Sequence, residues 1–365
     1  MVKVISIYLP QFHETTYNNE WWGEGYTEWT ACKNAKPLYK NHYQPRIPLD
    51  GYYDLSDVNA INRQAMLAKK YKIDGFAIYH YYSMGSRLLD KPIELLYENK
   101  HIDIEYCLYW ANHSWVRSWI GHNNDLLWEQ KYGSCEDWTK HFYYCLKFFK
   151  DKRYIYKEGK PVFIIYNTDA FKDIDNFMLC WNELAKKNGL KGIFFIKTLV
   201  SSQISLDVNS FDAILEREPN FTIAYKNDKC KFLRTRIVWG MKNLTNKLLY
   251  KMDKGIVSRR IAYDEVVKSS VQRKAICDSD IPSVFPGFDS SPRHDYRGLI
   301  IDGSTPEKFK EYFRKQYKKA VESKLEMIFI NAWNEWGEGA YIEPDTVYKY
   351  QYLEAIKGVV AEYEN

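Results

Sequence analysis

A single (β/α)8 barrel of the α/β class is the architecture this sequence predicts, and three observations predict it. Eight short runs rich in Val, Ile, Phe and Tyr alternate with longer stretches of helical periodicity. Each run ends in a side chain able to hydrogen-bond or stack, and in a parallel barrel all such ends meet on one face. The chain has 365 residues, 45% of them hydrophobic, enough for one large barrel with insertions. A doubly wound open sheet shares part of this pattern, so the count of eight carries the choice.

The first run, residues 2–9, ends at Tyr8 and leads into Gln11. The second, 75–82, ends in His80 and Tyr81, the third, 105–111, in Trp110 and Asn112, and the fourth, 162–166, in Tyr166 and Asn167. The fifth, 193–198, carries Lys197, and the sixth, 213–216, carries Glu216 with Glu218 beyond it. The seventh, 283–288, meets Asp289, and the eighth, 327–333, runs into Asn334 and Glu335. Helical patterns at 58–71, 138–149, 177–187 and 306–323, with a last one near 347–363, supply the outer ring. The whole of 1–365 reads as one catalytic domain.

Two long connections interrupt the alternation. Residues 12–51 follow strand one and hold Trp21, Trp22, Tyr26, Glu28 and Trp29, then His42, Gln44 and Pro45. Loops of that length in a compact domain are usually functional, and this one is expected to roof a substrate cleft. The second connection, about 220–280, separates strands six and seven. Within it residues 231–260, opening on Lys231 and ending on Arg260, carry nine Lys or Arg and one acid, Asp253. Ile237, Met241, Leu244, Leu248 and Met252 recur there at helical spacing. Such a helix either packs on the barrel with a solvated basic face or contacts an anionic membrane surface peripherally.

Composition narrows the function classes. Net charge of +5 gives no case for nucleic acid. Seven scattered cysteines without a CxxC fit free thiols in a reducing compartment. The apolar N-terminal run is too short for a signal peptide, and no apolar run approaches the roughly 20 residues that span a bilayer. A cytoplasmic protein is expected, in contact at most with the inner face of a membrane. The 31 Tyr and 12 Trp suit stacking on sugar rings as well as packing.

Glycosidic bond chemistry needs two carboxyl groups, one moving a proton at an oxygen and one stabilising or trapping the anomeric centre. Glu335 and Glu338, three apart after the last strand, can present both to one cleft if the segment turns helically. Trp333 and Trp336 flank them and are expected to lower the local dielectric, raising one carboxyl pKa. Glu343 reads as a supporting partner or a cap of the final helix. Trp22, Tyr26, Trp29 and Trp110 are candidate stacking surfaces, and Glu28 can hold a sugar hydroxyl. His13, His42, His80 and His113 lack metal-ligand spacing and read as hydrogen-bonding or structural groups. No metal or other cofactor is expected. The triplets Asp173-Ile174-Asp175 and Asp278-Ser279-Asp280 fall at a helix start and before strand seven, away from the active face.

These residues carry a family resemblance over nearly the whole chain. Its motifs are Tyr8 to His13, Trp21 and Trp22, Thr27 to Trp29, Gln44 and Pro45, Gly51 to Asp54, Trp110 to Asn112, Pro286 to Asp289 with Arg293, and the run from Asn331 to Asp345. The chain resembles the WbsX-type predicted glycosyltransferases of O-antigen and capsule loci, which are related to glycoside hydrolase family 99, the endo-α-mannosidases. The resemblance implies a (β/α)8 barrel acting on an α-linked oligosaccharide or lipid-linked glycan in surface polysaccharide biosynthesis. It assigns Glu335 to the sugar 2-hydroxyl, assisting an anhydro-sugar route, and Glu338 to acid/base work at the glycosidic oxygen. Tyr8, Gln11, His13, Asp289, Arg293, Asn334 and Trp336 are further substrate-binding candidates. Gly337 stands where those hydrolases commonly carry His, so hydrolysis of an internal α-glycoside is the alternative to transfer. A non-catalytic glycan-binding barrel is a second alternative, and it would not need both carboxylates.

Overall fold

The computed structural model describes residues 2–117, 125–200, 210–225, 241 and 259–364. Eight parallel strands form the ring: β1 Lys3–Tyr8, β2 Gly75–Ser83, β3 Glu105–Trp110, β4 Lys160–Ile165, β5 Phe194–Leu199, β6 Ala213–Glu216, β7 at 280–284 and β8 Met327–Ile330. Pro282, which has no N–H to donate, splits β7 into Asp280–Ile281 and Ser283–Val284. The first piece pairs with β6 and the second with β8, and β8 pairs with β1, so the sheet closes on itself.

Helices follow the strands on the outside, at Val58–Lys70, Lys91–Glu98, Cys135–Phe149, Ile174–Lys187, Tyr263–Gln272, Pro306–Glu322 and Gln351–Ala361. Local chemistry sets where several of them begin. The Asp57 carboxylate accepts from Asn59 N, and the Thr305 hydroxyl accepts from Lys308 N ahead of a first-turn proline. Between sheet and helices lies an aromatic layer in which Trp181, fully buried, sits 4.7 Å from both Phe163 and Phe177.

Seven of the predicted strands lie where the alternation put them, and the seventh is displaced. It begins at Asp280 and ends at Val284, because Phe288–Asp289 pair instead with Leu299–Asp302 in a small three-stranded sheet beside the barrel. The second Asp-x-Asp triplet therefore ends inside a strand. The long loop after β1 holds two short helices, Thr16–Trp22 and Glu28–Asn34. The basic stretch 231–260 lies outside the described residues apart from Met241, Arg259 and Arg260. Arg260 stacks 3.9 Å above the Tyr39 ring and pairs with Asp302. Among the described residues no helix is long and apolar enough to cross a membrane.

Candidate active site

After β8 the chain makes a tight hairpin, Asn334–Glu335 against Ala340–Tyr341, closed by a single helical turn at Trp336–Glu338. Gly339 ends that turn at φ 57°, a conformation that suits glycine. Asn334 anchors the hairpin to the end of β1, accepting from Leu9 N at 2.7 Å and donating to Leu9 O at 3.0 Å. Glu335 and Glu338 then project into a cleft of about 310 Å³ at the C-terminal ends of the strands.

Arg293, on the short helix Ser291–His294, ties three carboxylates together. Its Nε donates to Glu28 at 2.6 Å, Nη1 to Glu338 at 2.7 Å and Nη2 to Glu335 at 3.1 Å. The Glu28 carboxylate lies directly over Gly337, where a Cβ would stand 1.8 Å from Oε1 and 2.8 Å from Arg293 Nε. Burial pushes the Glu335 carboxyl up to about 7, with the Glu338 charge adding to the rise and Arg293 opposing it. A guanidinium shared between two acids, one of them poised to exchange its proton near neutral pH, is an electrostatic arrangement that general acid/base chemistry can use.

The tryptophans flanking the pair do not wall the cleft. Trp333 and Trp336 are buried, and their indole N–H groups donate to the two oxygens of Glu343 at 2.9 and 2.7 Å. Glu343 also accepts from Tyr53 at 2.8 Å and Gln64 at 2.7 Å, and burial pushes it up to about 7. It is the buried post on which the hairpin stands. The aromatic walls of the cleft are instead Tyr81, Tyr166, Trp22 and Tyr26.

Gln11 and Glu28 also line that cleft, with Arg293. Other sequence candidates lie outside its lining. Tyr8 donates to Gln64 at 2.7 Å beneath Glu343, and His13 bonds Pro10 O at 2.9 Å. Trp29 packs on Phe12 and donates to Tyr53 O, while Asn112 clips the end of β4 through both backbone groups of Asn167. Trp110 and His80 face the outer helices, Trp110 against Phe177 and His80 bonded to His141 at 2.8 Å. His42 and Asp289, 2.8 Å apart, belong to a second pocket behind the hairpin, where His42, Arg46 and Ser291 hold the Asp289 carboxyl down at about 2 despite its burial, and Gln44 also donates to it.

Several cleft residues went unnamed in the sequence reading, notably Arg217, Tyr79, Trp115 and His294. Successive strand residues face opposite ways, so of His80 and Tyr81 only one can point inward, and Tyr79 must accompany Tyr81. The same alternation puts Arg217 in the cleft and turns Glu216 and Glu218 out to Arg273, which donates to them at 2.7 Å each.

Among the described residues His80, His141 and Cys145 group their ligand-type atoms within 4.8 Å of one another. The two ring nitrogens stand 2.8 Å apart, closer than the about 3.3 Å expected of two nitrogens on one tetrahedral zinc ion. Tyr82 stacks on His141 at 3.9 Å, and the pair reads as a neutral hydrogen bond in an aromatic layer.

Comparison with known proteins places this geometry. The family model described as Glycosyltransferase WbsX matches residues 4–356. The protein called WxcX in two strains of Xanthomonas campestris pv. campestris is 29% identical over 358 residues, 97% of this chain and 49% of the relative. The chain thus spans about half the length of the curated relatives it matches. Among solved structures, a GH99 endo-α-mannosidase from Bacteroides thetaiotaomicron in complex with bis-tris propane superposes with TM-score 0.59 at 16% identity, covering 100% of this chain and 98% of that one. A glycoside hydrolase-like protein gives TM-score 0.60 at 15% identity, over 98% and 93%. At these identities the likeness shows a shared barrel fold.

Proposed function

Because the chain belongs to the WbsX glycosyltransferase family, we propose that it is a carbohydrate-active enzyme that transfers an α-linked sugar during surface polysaccharide assembly, with Glu335 and Glu338 as its working pair. The observation that carries this reading is Arg293 donating to both carboxylates inside one tyrosine-walled cleft at the strand ends. In the proposed route Glu335 takes the proton of the sugar 2-hydroxyl, whose oxygen closes on the anomeric carbon, while Glu338 protonates the departing oxygen. The intermediate then passes to an acceptor hydroxyl, or to water, with the two proton movements reversed. Transfer and hydrolysis share the site and differ in what reaches the anomeric carbon. A cytoplasmic location, a lipid-linked acceptor and a membrane contact through residues 231–260 complete the proposal.

The test is turnover of α-glycosyl fluorides of mannose, glucose and galactose by the full chain, with and without saccharide acceptors, read by fluoride release and product mass. Glu335→Gln and Glu338→Gln should each lose about 10²–10⁴-fold in rate. Lack of turnover with every donor and acceptor would return the protein to the glycan-binding alternative.

A further inference from the structure

Across the cleft from Arg293 lies a second guanidinium, that of Arg217, with a different relation to Glu338. Arg217 is 4% exposed and fixed in place, its Nε donating to the Tyr79 hydroxyl at 3.2 Å and its plane 5.5 Å from the Tyr166 ring centroid. Its Nη2 stands 3.8 Å from Glu338 Oε2, too far for a hydrogen bond. Glu338 Oε1 is taken by Arg293, whereas Oε2 is buried and accepts no hydrogen bond among the described residues. A buried cation and a buried lone pair thus face each other across a gap that neither closes, and leaving such groups unsatisfied is costly.

The group that closes this gap must accept from the guanidinium and donate to the carboxylate. A hydroxyl does both. A phosphate dianion would bring further negative charge against Glu338, Glu335 and Glu28. An ammonium can only donate, and it would face Arg217. We infer that Arg217 and Glu338 together form the binding position for the attacking hydroxyl of the acceptor, and that the acceptor end of the cleft takes an uncharged sugar through one of its hydroxyls. The inference rests on reading the cleft as a site of glycosyl transfer. In the transfer step the hydroxyl proton goes to Glu338 Oε2 and the hydroxyl oxygen bonds the anomeric carbon. The bond from that carbon to the sugar's own 2-oxygen breaks, and that oxygen takes its proton back from Glu335. Arg217 stays charged throughout and holds the attacking oxygen in line.

Two readouts on the full chain test this. In the first, protein labelled with ¹³C at glutamate carboxyls, with the Glu338 resonance assigned by its loss in Glu338→Gln, is titrated with glycerol as a hydroxyl probe and with inorganic phosphate as an anion probe. Glycerol should move the Glu338 resonance and phosphate should not, and Arg217→Met should need at least about tenfold more glycerol. Arg217→Lys, which keeps the buried charge, guards against loss of folding and should fall between the two. Phosphate acting at lower concentration than glycerol, or an unchanged glycerol response in Arg217→Met, would overturn the inference. In the second readout, transfer from a glycosyl fluoride, Arg217→Met should raise the acceptor KM about tenfold or more and leave the donor KM unmoved. A change confined to the donor KM would overturn it too. If the wild-type chain turns over no fluoride while glycerol still acts at Glu338, the glycosyl-transfer reading fails and the hydroxyl site stands.

Discussion

Gly337 shows how much one residue without a side chain can decide. Its missing Cβ is the space into which the Glu28 carboxylate packs, and Glu28 in turn holds Arg293 Nε. Gly337→Ala should therefore push Glu28 away, loosen Arg293 and lower the transfer rate about 10²-fold, a size typical of misplaced catalytic groups. The check is a double-mutant cycle: in a Glu28→Ala background the added methyl has only Arg293 Nε left to displace, so Gly337→Ala should cost less there. Equal costs in both backgrounds would show that Gly337 acts some other way. Glu28 also bears on the pH profile, since its charge is among those raising the Glu335 carboxyl to about 7. In the proposed route Glu335 works ionised, as a base, so kcat/KM should rise with pH through about 7. Glu28→Gln removes one of the raising charges, so the rise should move to lower pH by up to about one unit. A rise that stays in place, measured over pH 5 to 8, would rule out that coupling.

At the scale of elements, the end of β6 shows what the sequence could and could not disclose. Strands of a parallel barrel are buried on both faces, so apolar residues fill them without alternation and the run does not say which residues point inward. Glu216 and Glu218 thus look like cleft residues in the sequence, yet they face outward onto Arg273, and Arg217 between them faces in. The same ambiguity hides Tyr79 behind His80. The hairpin after β8 was more legible because its carboxylates are three apart on a tight turn, a spacing that fixes a common direction. The role of its tryptophans was not, since their bond to Glu343 depends on a contact seven to ten residues away. Arg273 offers a test of the outward assignment. Arg273→Ala leaves Glu216 and Glu218 buried and unpaired, so unfolding in urea should show a loss of about 3–5 kcal/mol. A loss below about 1 kcal/mol would mean the two acids reach water.

Over the whole molecule, the ring and its outer helices were foreseeable from the eight-fold alternation, because closing a barrel is a long-range consequence of many short signals. The proton balance of the folded chain was not, because it depends on which titratable groups burial encloses. Burial pushes Asp280, Glu335 and Glu343 each up to about 7, and lowers His13, His80, His113, His141 and His294. A carboxyl with a raised folded pKa contributes stability that is present below its unfolded pKa of about 4 and is lost as pH rises through about 7. A histidine with a lowered pKa contributes above about 6.5 and is lost as pH falls below it. Between about pH 4.5 and 6.5 the two sets of groups oppose each other, and from there to about 7 the contribution of these acids declines. Asp280→Asn isolates one term, because the variant has no proton to hold there. Its stability relative to wild type should improve by about 1.4 kcal/mol per pH unit between pH 4.5 and 7, the slope for one proton, and level off above. Urea denaturation of both proteins at half-unit steps measures that difference directly, and two parallel curves would show that Asp280 titrates in the folded protein as it does in the unfolded chain.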